Sequence, residues 1–246
     1  VILYSKYLFK YERVIRVKTA GLLGGMSWES TLEYYRIINQ ETKRLLGESH
    51  SARCLLYSFD FHEVEVLQHE GRWEELTGRM VQEAMNLKKA GADFIAICTN
   101  TMHLMAPDIE QATGLKVVHI ADAAGEAVKA SLFSKVALLG TRFTMEGDFY
   151  RKNLLENHGI QTLIPDDSDR ELIHQVIYTE LIRGIISERS RNEFVRIIGN
   201  LADRGAEGVI LGCTEIPLLI SDEVSPLPVF DTTRLHSEAI VKYAIT

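Results

Sequence analysis

The chain has 246 residues, 46% hydrophobic and 25% charged, with a formal net charge of −7. That supplies one core or two small ones, and the acidic balance argues against a general nucleic-acid binder, which carries a basic stripe. No apolar run reaches bilayer-spanning length, and three cysteines, an odd and small number, do not suit a disulfide framework.

Residues 1–16 mix aromatic and apolar residues with Lys6, Lys10, Arg13 and Arg16. These interrupt the unbroken apolar stretch that a signal peptide needs, so a cytoplasmic location is expected. The first predicted strand is Arg16 to Leu23, ending in Gly24-Gly25-Met26-Ser27. Leu32, Tyr35, Ile38 and Leu45 then recur near a 3.6-residue period and predict a helix. Cys54 to Phe59 reads as a buried strand, with Cys54 in the core. Leu76, Met80, Ala84 and Leu87 mark a helix that Gly91 stops. Phe94 to Cys98 and Val117 to Ile120 are further apolar strands. Alternating strands and helices, with strands apolar on both faces, predict a parallel sheet covered by helices.

The pattern restarts near residue 133. Val136 to Thr141 is a strand, a helix runs through Phe149 and Leu155, and Ile160 to Ile164 is a strand. Helices are predicted over Asp169 to Ile186 and Ser190 to Arg204, and Gly208 to Cys213 is a strand. The second half echoes the first: Gly91-Ala92-Asp93 leads through an apolar strand to Cys98-Thr99-Asn100, and Gly205-Ala206-Glu207 leads likewise to Cys213-Thr214-Glu215. The fold class predicted is α/β, in two pseudo-symmetric domains, each a mostly parallel sheet flanked by helices. The divisions are 1–16 as an N-terminal extension, 17–120 plus 231–246 as the first domain, and 121–230 as the second. Ligands of open parallel sheets bind beyond the carboxyl ends of strands, so facing halves would bring Cys98 and Cys213 to one cleft.

Two acid/base groups on opposite sides of a carbon acid suit racemisation, one removing the Cα proton and the other delivering one. A free thiol has a pKa of about 8.5, so the site must favour the thiolate. Each Cys-Thr pair is expected to open a helix whose N-terminus does this, with Thr99, Asn100, Thr101 and Thr214 as caps and exposed amides for a substrate carboxylate. A Cys ending an apolar strand is, taken alone, a buried small hydrophobe; its recurrence in matching halves is what favours function. Metal binding by Cys98 with His103 or His119 lacks the usual ligand spacing. Gly24-Gly25 lacks a full nucleotide-binding pattern, and no pyridoxal-phosphate lysine is obvious.

At these residues the chain resembles the aspartate/glutamate racemase family, especially its aspartate-racemase-like and broad-specificity branch. The matching segments are Gly21 to Thr31, Ser58-Phe59-Asp60-Phe61 with Gln68, Cys98 to His103, Leu139 to Met145 and Gly212 to Ile216. The resemblance runs from about residue 18 to the end. It implies a two-domain isomerase, an amino-acid racemase using neither pyridoxal phosphate nor metal, often dimeric, with Cys98 and Cys213 as the acid/base catalysts. It also implies that Met26, Gln68, Asn100, Thr101 and Thr141 line the substrate pocket, with Thr99 and Thr214 beside the cysteines. Some relatives carry a lysine for the substrate side-chain carboxylate where this chain has Arg183, and Lys and Arg are not interchangeable. A small or hydroxylated neutral amino acid therefore stays open beside aspartate and glutamate. Similar proteins tend to begin near Val17-Lys18-Thr19, so residues 1–16 are expected to be an extension without a catalytic role. The competing readings are cis–trans isomerisation of a maleate-like diacid on a related scaffold and a non-catalytic amino-acid-binding module.

Overall fold

The computed structural model describes residues 17–246. The expected extension, 1–16, lies outside the described residues, as does Arg16.

The first half runs β1 (Ala20–Gly24), α1 (Trp28–Leu46), β2 (Cys54–Ser58), α2 (Phe61–His69), α3 (Trp73–Lys89), β3 (Phe94–Ile97), α4 (Ala106–Thr113) and β4 (Val117–Val118). Its sheet is wholly parallel, in the order β2-β1-β3-β4. After α5 (Ile120–Ala130) the second half runs β5 (Lys135–Gly140), α6 (Arg142–Glu146), α7 (Asp148–His158), β6 (Gln161–Leu163), α8 (Asp167–Thr179), α9 (Glu188–Asp203), β7 (Val209–Gly212) and β8 (Val229–Asp231). Its sheet is also parallel, in the matching order β6-β5-β7-β8. The chain then returns through α10 (Thr232–Ile245), which packs on α1 and α5.

The central strands read as continuous apolar runs because helices cover both faces, and β1, β3 and β7 are buried at every position. Cores therefore form in pairs: α3 and α4 pack with Leu23, Ile95 and Ile97 on one face of the first sheet, while α1 and α10 pack with Leu22, Phe94 and Ala96 on the other. Short polar caps turn the chain at the strand ends. Ser27 caps α1, Asp60 caps α2, Thr141 caps α6 and Asp231 caps α10, each side chain accepting from a backbone N–H of the first turn.

Several expectations shift. The strand expected from Arg16 starts at Ala20. Helix α1 buries Ser30, Thr31, Tyr34, Ile38 and Thr42, whereas Leu32, Tyr35 and Leu45 are exposed. The helix stands where the period placed it, and its buried face carries polar groups that are satisfied internally: Thr42 donates to the Ile38 carbonyl, and Tyr34 Oη is 2.8 Å from His236 Nδ1. Strand β2 is an edge strand that is only half-buried, as is Cys54. The strand through Ile120 stops at Val118, since His119 caps α5 and Ile120 is its first residue. The helix expected to reach Ile186 ends at Thr179; a 3-10 turn over Leu181–Arg183 and the left-handed Gly184 follow. Among the described residues no helix is long and apolar enough to cross a membrane.

Candidate active site

A small, partly open cavity of about 30 Å³ lies where the carboxyl ends of the two sheets converge. The first half contributes Met26, Phe61, Gln68, Thr99, Asn100 and Thr101. The second contributes Thr141, Ile177, Tyr178, Ile182, Gly212, Cys213, Thr214 and Glu215.

Cys213 follows β7 and is 8% exposed. Its Sγ–H donates to Glu215 Oε2 at 2.9 Å. Burial pushes the thiol well above its ordinary value, and the carboxylate charge and hydrogen bond of Glu215 push it the same way. Glu215 is itself buried and accepts four hydrogen bonds. Ser27 and Ser30, from the cap and first turn of α1, each donate to Oε1 at 2.8 Å; Cys213 and Thr214 donate to Oε2. The carboxylate thus joins the two halves beside the thiol. Its oxygens are held by three hydroxyl donors and one thiol donor.

Asn100, 2% exposed, lies opposite in sequence logic to Thr214 and Glu215. Its amide orientation follows from its neighbour: Thr232 Oγ1 spends its single proton on the Leu211 carbonyl, 2.7 Å away, so it must accept from Asn100 Nδ2 at 3.0 Å. Asn100 Oδ1 is left buried without a partner, on a residue that lines the cavity. Such an orphan acceptor calls for a donor from a ligand or water.

Three hydroxyls tie the halves on another side, with Thr101 Oγ1 at 3.0 Å from Thr141 Oγ1 and 3.2 Å from Thr144 Oγ1. Gln68 is held by both halves: its Nε2 donates to Met102 Sδ, and Tyr178 Oη donates to its Oε1 at 3.2 Å. The Thr99 carbonyl accepts from His103 Nδ1 at 2.8 Å, and the Ile120 N–H donates to His103 Nε2. That backbone donor fixes the tautomer, and burial holds His103 well below the ordinary imidazole range, so it is a neutral strut under Thr99.

Cys98 stands elsewhere. It is fully buried, packs among Ala20, Leu22, Tyr34, Ile38 and Ala96, and does not line the cavity. Burial pushes its thiol up as well. The strand register explains the difference. In the first sheet Leu23 pairs with Ile97, and the Cys98 N–H still bonds the Leu23 carbonyl, which places Cys98 beside Gly24. In the second sheet Gly140 pairs with Gly212. Gly24 and Gly140 end equivalent strands, so Cys98 matches Gly212, and the structural counterpart of Cys213 is Thr99.

A family model for the Asp/Glu/hydantoin racemases matches residues 23–240. The chain belongs to that family. It is 24% identical over 226 residues to the broad-specificity amino-acid racemase RacX of Bacillus subtilis, covering 90% of this chain and 96% of RacX. Among solved structures it resembles a Yersinia pestis protein assigned to the Asp/Glu racemases, at 52% identity and a TM-score of 0.87, covering 93% of this chain and all of that one (100%). It also resembles an aspartate racemase homologue from Pyrococcus horikoshii, at 35% identity and a TM-score of 0.78, covering 92% and 99%.

Within this racemase scaffold, eight of the residues singled out in sequence meet at the cavity: Met26, Gln68, Thr99, Asn100, Thr101, Thr141, Cys213 and Thr214. Two do not. Cys98 faces the α1 and α10 side of its sheet, and Arg183 is exposed on the turn after α8, with Ile182 taking the place on the cavity wall. The helices expected to begin at the Cys-Thr pairs are 3-10 turns, over Thr101–Met105 and Ile216–Leu218, with no side-chain cap, and both thiols are raised rather than lowered. Sequence reasoning passed over Glu215, Ser27 and Ser30, although the repeated Cys-Thr-polar pattern pointed at Glu215. It also gave no role to Phe61, Ile177, Tyr178 or Ile182, whose apolar spacing reads as ordinary core.

Proposed function

We propose that the chain is a cofactor-independent amino-acid racemase in which Cys213 works one face of Cα and Thr99, its structural counterpart, stands at the other. The observation that carries this reading is the Cys213–Glu215 pair inside a cavity walled by equivalent strand ends. The Glu215 carboxylate positions the thiol through its hydrogen bond, and once the thiol has lost its proton to solvent Cys213 is the base that takes the Cα proton. The substrate ammonium supplies the donor that Asn100 Oδ1 lacks. The hydroxyls of Thr101 and Thr141 suit the carboxylate, whose charge grows as the ene-diolate forms. The Thr99 hydroxyl is a far poorer acid and base than a thiol, so the two faces are unequal. The enantiomer whose Cα–H faces Cys213 then exchanges that hydrogen with solvent faster than it inverts.

The cavity wall around Phe61, Gln68, Ile177, Tyr178 and Ile182 offers no counter-charge to a side-chain carboxylate, and exposed Arg183 does not line it. The proposed substrates are accordingly small or hydroxylated uncharged amino acids before aspartate or glutamate. The proposed lobes are 17–120 with 231–246, and 121–230. Trp28, Leu32 and Tyr35 form an exposed stripe on α1 that supports a homodimer, and light scattering is expected to give twice the chain mass.

The decisive assay is Cα–H loss by NMR in deuterated water across a panel of L- and D-amino acids. Exchange is expected for at least one uncharged amino acid, and Cys213→Ser is expected to lower it by about 10²–10⁴-fold, the usual worth of a positioned acid/base group. A single cavity thiol also fits nucleophilic cis–trans isomerisation of a maleate-like diacid; turnover of such a diacid with no Cα exchange in any amino acid would favour that reading.

A further inference from the structure

Away from the chemistry, five aromatic rings meet across the two halves. Trp73, at the start of α3, and His69, at the end of α2, belong to the first half; Phe143 on α6 and His174 and Tyr178 on α8 belong to the second. His69 lies 5.2 Å from Tyr178, 6.2 Å from His174 and 6.4 Å from Phe143, and Trp73 lies 5.1 Å from Phe143, all edge-on. These are the separations at which aromatic rings attract. Just inside them, the Tyr178–Gln68 hydrogen bond crosses the same boundary, and both of its residues line the cavity. The rings of His69, Trp73, Phe143 and His174 do not line it, so they form a layer outside that bond. The chain passes between the halves at Val118–Ile120 and at Asp231–Thr232, and neither crossing contributes a ring to the layer. The halves are thus joined covalently at those crossings and by hydrogen bonds at the cavity, and the ring contacts, each weak and reversible, add a tie beside Tyr178, the arrangement of a hinge and a latch.

We propose that the His69–Trp73–Phe143–His174–Tyr178 cluster is a latch that opens and shuts the mouth of the cavity, so that access to Cys213 is set by how often these rings part. Each contact is worth little, which suits an element that must open in every cycle. Burial and the nearby Arg142 hold the His174 imidazole below its ordinary range, which keeps positive charge off the ring at neutral pH; Glu171 and Glu146 act in the opposite sense. Across from it, His69 has Glu65 as its carboxylate neighbour, 3.9 Å away.

The test is access to a thiol and does not depend on the amino-acid reading. Alkylation of each cysteine by iodoacetamide is followed by mass spectrometry in the wild-type chain, in His69→Ala and in Trp73→Ala. His69 is half-exposed, so its removal leaves the fold intact if Trp73→Ala does not. Both variants are expected to speed Cys213 alkylation severalfold to about tenfold, the change matching the loss of aromatic edge contacts, at neutral and alkaline pH alike. Half-exposed Cys54 keeps its rate and buried Cys98 stays protected. An unchanged Cys213 rate in His69→Ala, or acceleration of Cys54 and Cys98 together with Cys213, overturns the latch.

Discussion

A thiol beside a carboxylate is harder to ionise, and this governs how Cys213 responds to pH. Its folded-state value is raised, by burial first and Glu215 second, so the thiol form dominates at neutral pH. Activity limited by thiolate should rise with pH past the ordinary thiol value of about 8.5. Glu215→Gln removes one cause of the raised value and also removes the carboxylate that positions the thiol. The rising limb of the pH–rate profile should move to lower pH, while the plateau rate falls by about 10²–10³-fold. The same linkage acts on stability. A thiol whose folded value is raised contributes stability below its unfolded value and loses it as pH climbs through the gap, so Cys98 and Cys213 both weaken the fold in alkali. At this scale the sequence was legible where chemistry is local: Asn100, Thr101 and Thr141 follow strand ends and meet in the cavity. Arg183 was not, because its placement depends on a helix that breaks at Thr179.

Elements put these groups in place through tight strand-to-helix turns. Gly25, with φ +84°, shows how tight: a Cβ there would lie 2.3 Å from the Phe59 carbonyl oxygen and 2.5 Å from its nitrogen. Backbone cannot yield as a flexible side chain can, and the positive φ disfavours any L residue. Gly25→Ala should therefore cost more than about 2 kcal/mol and disturb Met26 and Ser27, read as a lower denaturant midpoint. The Gly-Gly pair was visible in sequence as a turn after a strand, and the parallel sheets covered by helices followed from alternating patterns. Helix α1 shows what periodicity misses. Tyr34 and Thr42 face inward because each has a hydrogen-bond partner, which a count of apolar residues alone does not reveal.

On the scale of the molecule, the repeat was readable and its alignment was not. Matching Cys-Thr with Cys-Thr aligns Cys98 with Cys213, yet a slip of one residue in a strand turns a side chain to the opposite face of the sheet. Only strand pairing, Leu23 with Ile97 and Gly140 with Gly212, sets Thr99 against Cys213 and sends Cys98 into the packing under α1 and α10. The halves are alike in backbone and unlike at their strand ends, where Glu215, gripped by Ser27 and Ser30, stands beside Cys213; in the proposed reading this makes the second half the reactive one. Deuterium incorporation at Cα, measured side by side for Cys98→Ala and Cys213→Ala in each enantiomer, tests this most directly. The account predicts that Cys98→Ala stays within severalfold of the wild type while Cys213→Ala loses about 10²-fold or more. Equal loss in the two variants would contradict it and restore a pair of working thiols.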